Sequence, residues 1–522
     1  MNPDFDVAVV GSGFSGSLTA LVARSLGRSV VLLERGAHPR FAIGESSSPL
    51  ANLLIEELSD RYDLPRIRPL SAWGSWQRMY PGVGCGLKRG FTFYAHEAGR
   101  PFAGDPERRD QLLVAASPCD EVADTHWYRP DFDAFLMREA RAAGAGYLDR
   151  AETTIVSRGP DGFVLAVARG GVRSEILARF VVDASGPGGF LYRQLRLPAS
   201  RFPEMPATEG LYAHFEGVRR LDAMGLVPAQ SAPPYPVDDA ALHHVFDGGW
   251  IWVLRFDNGI VSAGVAAEPQ LARELRLDEG APAWERLLGR FPTIRAQFEG
   301  SRRVTPFTHR TTLPFRSDTA AGDAWAHLPS AAAFVDPLLS TGFPLTLLGI
   351  ERLARAIERM DDPEAFASAL RDHGARTLFE ADTAALLVAA LYATFADFTA
   401  FAALTTLYFA AASYAEAARR LGRPHLSGSF LSGNHPTFGP ALRSCCRIAL
   451  ERDPGRRPEL LAAIRRAIEP FDVIGLLDES RRNWYPVLAE DLVASRHKLG
   501  ATEAEIEKVL AAMSPAVSMH GV

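Results

Sequence analysis

The first thirty-five residues constrain the fold more than any other stretch. Residues 6–10, DVAVV, read as a fully buried parallel strand, and GSGFSG follows at once. A helical pattern then runs from Ser17 to Leu26, and SVVLLE makes a second strand ending in Glu34. Gly11, Gly13 and Gly16 sit at the turn, with an acid about 20 positions later, as a dinucleotide-binding β-α-β unit requires. Gly11 permits the tight turn, Gly13 the approach of a pyrophosphate, and Gly16 the packing of helix on strand. The helix start, with Phe14 and Ser15, offers unpaired N–H groups to phosphate. Glu34 is placed to accept from the ribose hydroxyls.

The segment FVVDASGPGG, Phe180–Gly189, separates FAD from NAD. It is a buried strand ending in Asp183, followed by small residues that let the chain pass close to a ligand. Its place after HWYRPDFDAFLMREARAAGA, which contains Arg129, resembles the second flavin-contacting segment of FAD-dependent monooxygenase-like proteins. Between 200 and 305, short alternating runs such as LYAHFEGV, HHVFDGGWIWVLRF and GIVSAGVA predict antiparallel strands. The expected architecture is α/β. A Rossmann-like FAD-binding domain occupies 1–199 and 306–365, an inserted β-sheet 200–305, and a helical substrate-covering region 366–522.

Composition enters through lysine. The chain has 56 Lys and Arg together, yet its lysines are Lys88, Lys498 and Lys508 alone. Arginine does ordinary surface work as well; lysine differs in a compact amine whose pKa shifts and which can react. Lys88 stands in CGLKRGFTFYAHE, among glycines and aromatics, where that difference matters. A net charge of -6 gives no electrostatic case for nucleic acid. Four cysteines make no metal spacing and no disulfide framework, which suits a reduced, cytoplasmic protein. No signal peptide is expected. The apolar run from Ala384 to Tyr414 is interrupted by Asp397, so a buried helix over the substrate is expected there and not a membrane span.

Four further stretches share one order: RFAIGESSSP (Arg40–Pro49), the Lys88 segment, GGWIWVLRF with Trp250 and Trp252, and FVDPLLSTG. With the glycine turn they resemble the flavin-dependent halogenases, most closely those acting on free phenols. The resemblance covers the chain from the first strand to about residue 365 and, weakly, the helical tail. It implies that a separate flavin reductase supplies FADH2, that O2 and chloride or bromide give hypohalous acid, and that Lys88 relays this oxidant to the substrate. It further implies Arg40, Gly44, Glu45, Ser46 and Asp336 as cofactor contacts, and Ser340, Thr341 and Gly342 as the halide loop. Tryptophan halogenases carry a Glu just before this Ser; here Leu339 stands instead, which points to a phenolic or otherwise electron-rich aromatic. That substrate is either free or tethered to a carrier protein. The family pattern WxWxIP reads WIWVLR here. Arg255 in the partition between flavin and substrate therefore motivates an alternative reading, an aromatic monooxygenase on the same scaffold. A second alternative is a non-catalytic FAD-binding partner. His96, His243 and His244 are candidate bases toward a phenol, with a structural role the plainer reading of each. No metal site is assigned.

Overall fold

The computed structural model describes residues 3–226 and 232–513. Its first sheet is centred on the strand Phe5–Val10, which pairs in parallel with Val30–Leu33 on one side and with the end of Val172–Asp183 on the other. Val7 to Val9 are fully buried because helices or further strands cover both faces of this parallel core. The helix Phe14–Ser25 makes the crossover between the first two strands. Trp325–His327 adds a further parallel strand beside Val172–Asp183, so the chain returns to this sheet after leaving for the second one.

The second sheet has nine strands. Glu209–Glu216, Ile260–Ala267, Gly249–Arg255 and Ala241–Phe246 are antiparallel neighbours in that order. The sheet then continues into Gly90–Ala95 and Gln111–Ala115, with Trp484–Tyr485 at its edge. This differs from an insertion confined to 200–305. The strands just after Lys88 and a C-terminal strand also belong to the second sheet, because Gly90–Ala95 pairs in parallel with Ala241–Phe246 and Trp484–Tyr485 pairs with Gln111–Ala115, whereas Cys85–Lys88 pairs with Asp124–Trp127 in a two-stranded sheet beside it.

Strand parity divides this sheet's two faces. Phe91, Phe93, Val245, Trp250, Trp252 and Leu254 pack into one core, whereas Tyr94, Leu242, Phe246, Ile251 and Val253 pack into another. The first face is covered by the C-terminal helices: Phe91 meets Phe409 at 5.2 Å between ring centroids, and Phe93 meets Phe401 at 5.6 Å. Those helices are Pro363–Ala393 and Phe398–Arg420. Asp397 separates them as the N-cap of the second, accepting from the Ala400 N–H at 3.3 Å. Phe398–Arg420 is long and apolar enough to cross a membrane by length and composition, and most of its apolar window is buried inside the protein.

Candidate active site

The glycine turn leaves little freedom to its residues. Gly11 has φ of +103°, and a Cβ there would lie 2.6 Å from the Ala184 carbonyl oxygen. A Cβ on Gly16 would lie 1.9 Å from the Gly11 oxygen. At Gly13 the nearest groups are the side chains of Asp133, Arg129 and Arg40, the closest at 3.5 Å. Two guanidinium groups therefore flank a helix start that no side chain caps, a combination that suits a pyrophosphate. Arg40 keeps a buried Nε with no partner. The Phe14 ring does not face a ligand: it packs against Phe343 at 4.9 Å and Trp127 at 5.3 Å, leaving its backbone, and that of Ser15, to the helix start.

Glu34 accepts from the Ser12 N–H and hydroxyl, both at 3.0 Å, and from the Gly36 N–H at 2.7 Å. Burial pushes its carboxyl up, but the Ser12 and Gly36 N–H groups and Arg40 outweigh it, and the net shift is downward. The residues fit an adenosine dinucleotide: an ionised acid at the strand end, a turn that admits no side chain, and cations beside it.

Two expected cofactor contacts are committed elsewhere. Asp183 takes the Ser185 N–H and hydroxyl on one oxygen and the Leu191 N–H on the other, with His327 Nδ1 3.3 Å away. Its oxygens are filled, so this segment offers a cofactor its backbone and not this carboxylate. Asp336 is likewise occupied. It accepts from Leu338 N–H (3.0 Å), Trp250 Nε1 (3.3 Å), the Tyr392 hydroxyl (2.9 Å) and the Thr208 hydroxyl (3.4 Å). Burial raises its carboxyl to about 6. Arg129 forms a bidentate pair with Asp133 and donates to the carbonyls of Ile43 and Gly44, so it shapes the Gly44 loop as well as flanking Gly13.

Glu45 meets His214 Nε2 at 2.7 Å, and both are buried. This pair ties the Gly44 loop to the second sheet. His214 lies 169 residues further along and carries no local signature that would have marked it.

Lys88 ends the strand Cys85–Lys88 and is fully buried. Its Nζ donates to the Ser46 hydroxyl at 2.9 Å and to the Ser47 carbonyl, lies 3.5 Å from the Ser340 hydroxyl, and sits 3.8 Å above the Phe91 ring. Ser46 thus belongs to the lysine. Directly across the two-stranded ladder is Asp124, also buried, with one carboxylate oxygen unpartnered. Burial pulls the Lys88 amine down to about 7 against the pull of Asp124. Burial pushes Asp124 well up, and Lys88 holds it back.

The loop carrying Ser340 is strained: Leu339 and Ser340 both have positive φ, +63° and +54°. The helix Gly342–Ile357 follows, with no side chain capping it at Thr341. Among the described residues nothing lies within 4 Å of where a Gly342 Cβ would stand. An uncapped helix start bordering open space can hold an anion.

Trp250 and Trp252 face the Lys88 side, their rings 5.6 Å apart. Arg255 does not join them. It is five residues beyond Trp250, so parity turns its side chain to the other face. There it pairs with buried Asp238 at 2.9 Å and donates to the Val218 and Arg219 carbonyls. Parity also sorts the histidines. His244 lies on the far face, bonded to His96 at 2.8 Å and to Gln297 at 2.8 Å. His243 lies on the Lys88 face, stacked on Phe93 at 4.3 Å. An open recess of about 680 Å³ beside Trp284, Arg295 and Phe307 contains none of these groups.

Comparison with known proteins shows the family and the fold. The FAD dependent oxidoreductase family matches residues 6–319. The chain is 31% identical over 368 residues to monodechloroaminopyrrolnitrin halogenase PrnC of Pseudomonas fluorescens, covering 69% of this chain and 63% of that protein. It is 30% identical over 355 residues to the tetracycline 7-halogenase of Kitasatospora aureofaciens, covering 66% of this chain and 61% of that one. The chain thus matches somewhat over three fifths of these relatives' length. Among solved structures, halogenase PltM in complex with phloroglucinol and FAD superposes with a TM-score of 0.81 at 23% identity, covering 92% of this chain and 99% of PltM. At that identity the likeness speaks for the fold.

Proposed function

This chain belongs to the FAD-dependent oxidoreductases and, among them, to the flavin-dependent halogenase family, and from that premise we propose that it is an FADH2-dependent halogenase of phenolic or otherwise electron-rich aromatics, with Lys88 as its catalytic residue. The carrying observation is the setting of Lys88: a fully buried amine, pulled down to about 7, within reach of the Ser340 loop.

Gly11, Gly13, Gly16, Glu34, Arg40 and the Arg129-braced Gly44 loop would hold the cofactor. Reduced FAD supplies the activation of O2 through which halide is oxidised to hypohalous acid. Thr341 and Gly342, at the uncapped helix start, would hold the halide. At pH near 7 a large share of Lys88 is the neutral amine. That form can hydrogen-bond hypohalous acid, or take its halogen to give a haloamine with release of water. Ser46, Ser47 and Ser340 fix where the nitrogen points. Leu339 supplies no carboxylate beside the substrate, which favours a ring already activated by its own hydroxyl. Arg255, paired with Asp238 on the far face, no longer supports the monooxygenase alternative.

A separate flavin reductase would supply FADH2, and the substrate would be free or carrier-bound; two relatives, a brominase and a chlorinase, are named for a pyrrole-2-carbonyl group on a peptidyl-carrier protein. Four free cysteines favour the cytoplasm. The test is mass spectrometry of phenols incubated with protein, FAD, reductase, NADH, O2 and bromide. Brominated product from wild type and none from Lys88→Arg supports the reading. Products that gain only oxygen, whatever the halide, would reject it.

A further inference from the structure

His243 is buried on the same face of the sheet as Lys88, and the two share a neighbour. Phe91 lies under the Lys88 amine at 3.8 Å and is stacked with His243 at 6.2 Å between centroids and 14° between planes. Phe93 stacks on the imidazole at 4.3 Å, and Trp250 lies 5.2 Å away. Two phenylalanines and one of the tryptophans therefore surround one histidine, and one of those phenylalanines also carries the lysine.

The hydrogen bonding of this ring is one-sided. Nδ1 lies 3.1 Å from the Thr92 carbonyl, which can only accept, so Nδ1 carries the proton and Nε2 keeps its lone pair. Besides Thr92, the Ala241 carbonyl, again an acceptor, and the charges of Lys88 and His244 act on the ring. Among the described residues no N–H or O–H is directed at the remaining nitrogen. Burial pulls His243 down to about 3, so the ring stays neutral and the lone pair stays available at any working pH. The contrast with His244 one residue on is informative. On the far face, both of its nitrogens are engaged, by His96 and Gln297.

We infer that His243 Nε2 is the hydrogen-bond acceptor for the hydroxyl of the aromatic substrate, and so a second catalytic residue beside Lys88. The inference rests on the halogenase reading and specifies its substrate as a ring bearing a free O–H. Accepting that bond pushes electron density from oxygen into the ring, which raises its nucleophilicity ortho and para to the hydroxyl. The ring carbon then takes halogen from hypohalous acid or the Lys88 haloamine. The carbon–halogen bond forms as the halogen–oxygen or halogen–nitrogen bond breaks, with its electron pair leaving on oxygen or nitrogen. The ring proton is lost to that leaving group, giving water or the restored amine. The phenolic proton stays on oxygen, held by His243 throughout.

The experiment compares a phenol with its methyl ether, which keeps the ring and loses the donor. Rates of bromination are measured for wild type, His243→Phe and His243→Gln, and Kd for both compounds on the FAD-loaded protein by calorimetry. The ratio of kcat/KM, phenol over ether, is expected to fall about tenfold in His243→Phe, the scale of one hydrogen bond. In His243→Gln, whose amide oxygen also accepts, most of the ratio is expected to survive. Wild type is expected to bind the phenol several-fold tighter than the ether. An unchanged ratio in His243→Phe overturns the inference and leaves the halogenase reading standing. Absence of any brominated product from wild type overturns that reading itself. If the variants fail to bind FAD, the wild-type affinities decide: equal Kd for phenol and ether overturns the role of His243.

Discussion

Lys88 Nζ lies 3.5 Å from the hydroxyl of Ser340, a residue 252 positions away. One residue ends a two-stranded ladder beside the second sheet; the other sits in a strained loop returning to the first. Their approach joins the amine to the loop proposed to hold halide. The arrangement has a thermodynamic signature. The folded protein holds Lys88 near 7, whereas the unfolded chain titrates it at about 10.4. Between those values the unfolded state binds more protons, so wild-type stability rises with pH, by at most about 1.4 kcal/mol per unit from this group. Lys88→Met is expected to abolish this slope and to raise stability at pH 7, while halogenation falls by at least about a hundredfold. Urea unfolding at pH 7 and pH 9, beside product assays, checks both. A variant both inactive and less stable would contradict the assignment of Lys88 as a destabilising catalytic group.

Asp124 faces Lys88 across the ladder and favours its protonated form. The groups that act on this pair are His126 on the Asp124 strand, His243 on the second sheet, and Tyr408, Glu416 and Arg420 on the covering helix. The step that needs neutral amine is expected to accelerate as pH rises through about 7. Removing the carboxylate in Asp124→Asn removes the attraction that keeps the proton on lysine, so the inflection is expected at lower pH. The pH profile of single-turnover halogenation measures it; an inflection that moves up would show that Asp124 acts otherwise.

Tyr392 binds the helix Pro363–Ala393 to the loop proposed to hold halide. Its hydroxyl donates to Asp336 at 2.9 Å, and Asp336 in turn takes the Leu338 N–H just before the two left-handed residues. Tyr392→Phe leaves that buried oxygen with the Thr208 hydroxyl alone, at 3.4 Å. The cost of such a loss is about 1–3 kcal/mol. It is expected to appear as a several-fold rise in KM for bromide, with Kd for FAD little changed. Equal losses in both would mean that Tyr392 supports the fold generally.

Much of this site was legible in the chain itself, and the parts that were not share a cause. The glycine turn and Glu34 could be read because each lies inside a local pattern with its own geometry, and Lys88 stood out because the chain has only three lysines. Strand parity was equally readable: five positions from Trp250 to Arg255 put the arginine on the other face, a count that would have removed it from the partition. The sequence could not show that Asp183 and Asp336 spend their oxygens on the protein. Their partners, Leu191 and His327 for one and Thr208, Trp250 and Tyr392 for the other, come from elements that meet only in the folded state. His214 and Tyr392 were missed for the same reason. A single buried polar residue on a strand or helix has no sequence signature until its partner is in place.

The glycine turn offers a test that separates folding from binding. A methyl group on Gly16 would meet the Gly11 carbonyl oxygen at 1.9 Å, inside the backbone, where nothing flexible can yield. Gly16→Ala is therefore expected to destabilise the protein by at least the 1–3 kcal/mol typical of overpacking, and to weaken FAD binding as a consequence. On Gly13 the same methyl would meet only side-chain ends, at 3.5 Å or more. Gly13→Ala is expected to fold with nearly unchanged Tm and to lose FAD affinity about tenfold or more, because the methyl occupies the space between Arg40 and Arg129. Thermal unfolding without FAD and fluorescence titration with it distinguish the two.

Arg255 and Asp238 give the last prediction, which bears on the monooxygenase alternative. Asp238 is buried, and burial pushes its carboxyl up while Arg255 holds it back. Removing a buried pair's cation strands the remaining charge, at a cost of about 3–5 kcal/mol. Arg255→Ala is expected to lose stability on that scale. Asp238→Asn with Arg255→Met, which removes both charges, is expected to recover most of it. If Arg255 only fastens the end of its strand, the ratio of halogenated to hydroxylated product stays fixed across wild type, the single variant and the pair. A rise in hydroxylated product in Arg255→Ala that the double variant keeps would return the arginine to the partition, since restored stability would then leave the altered chemistry unexplained by unfolding.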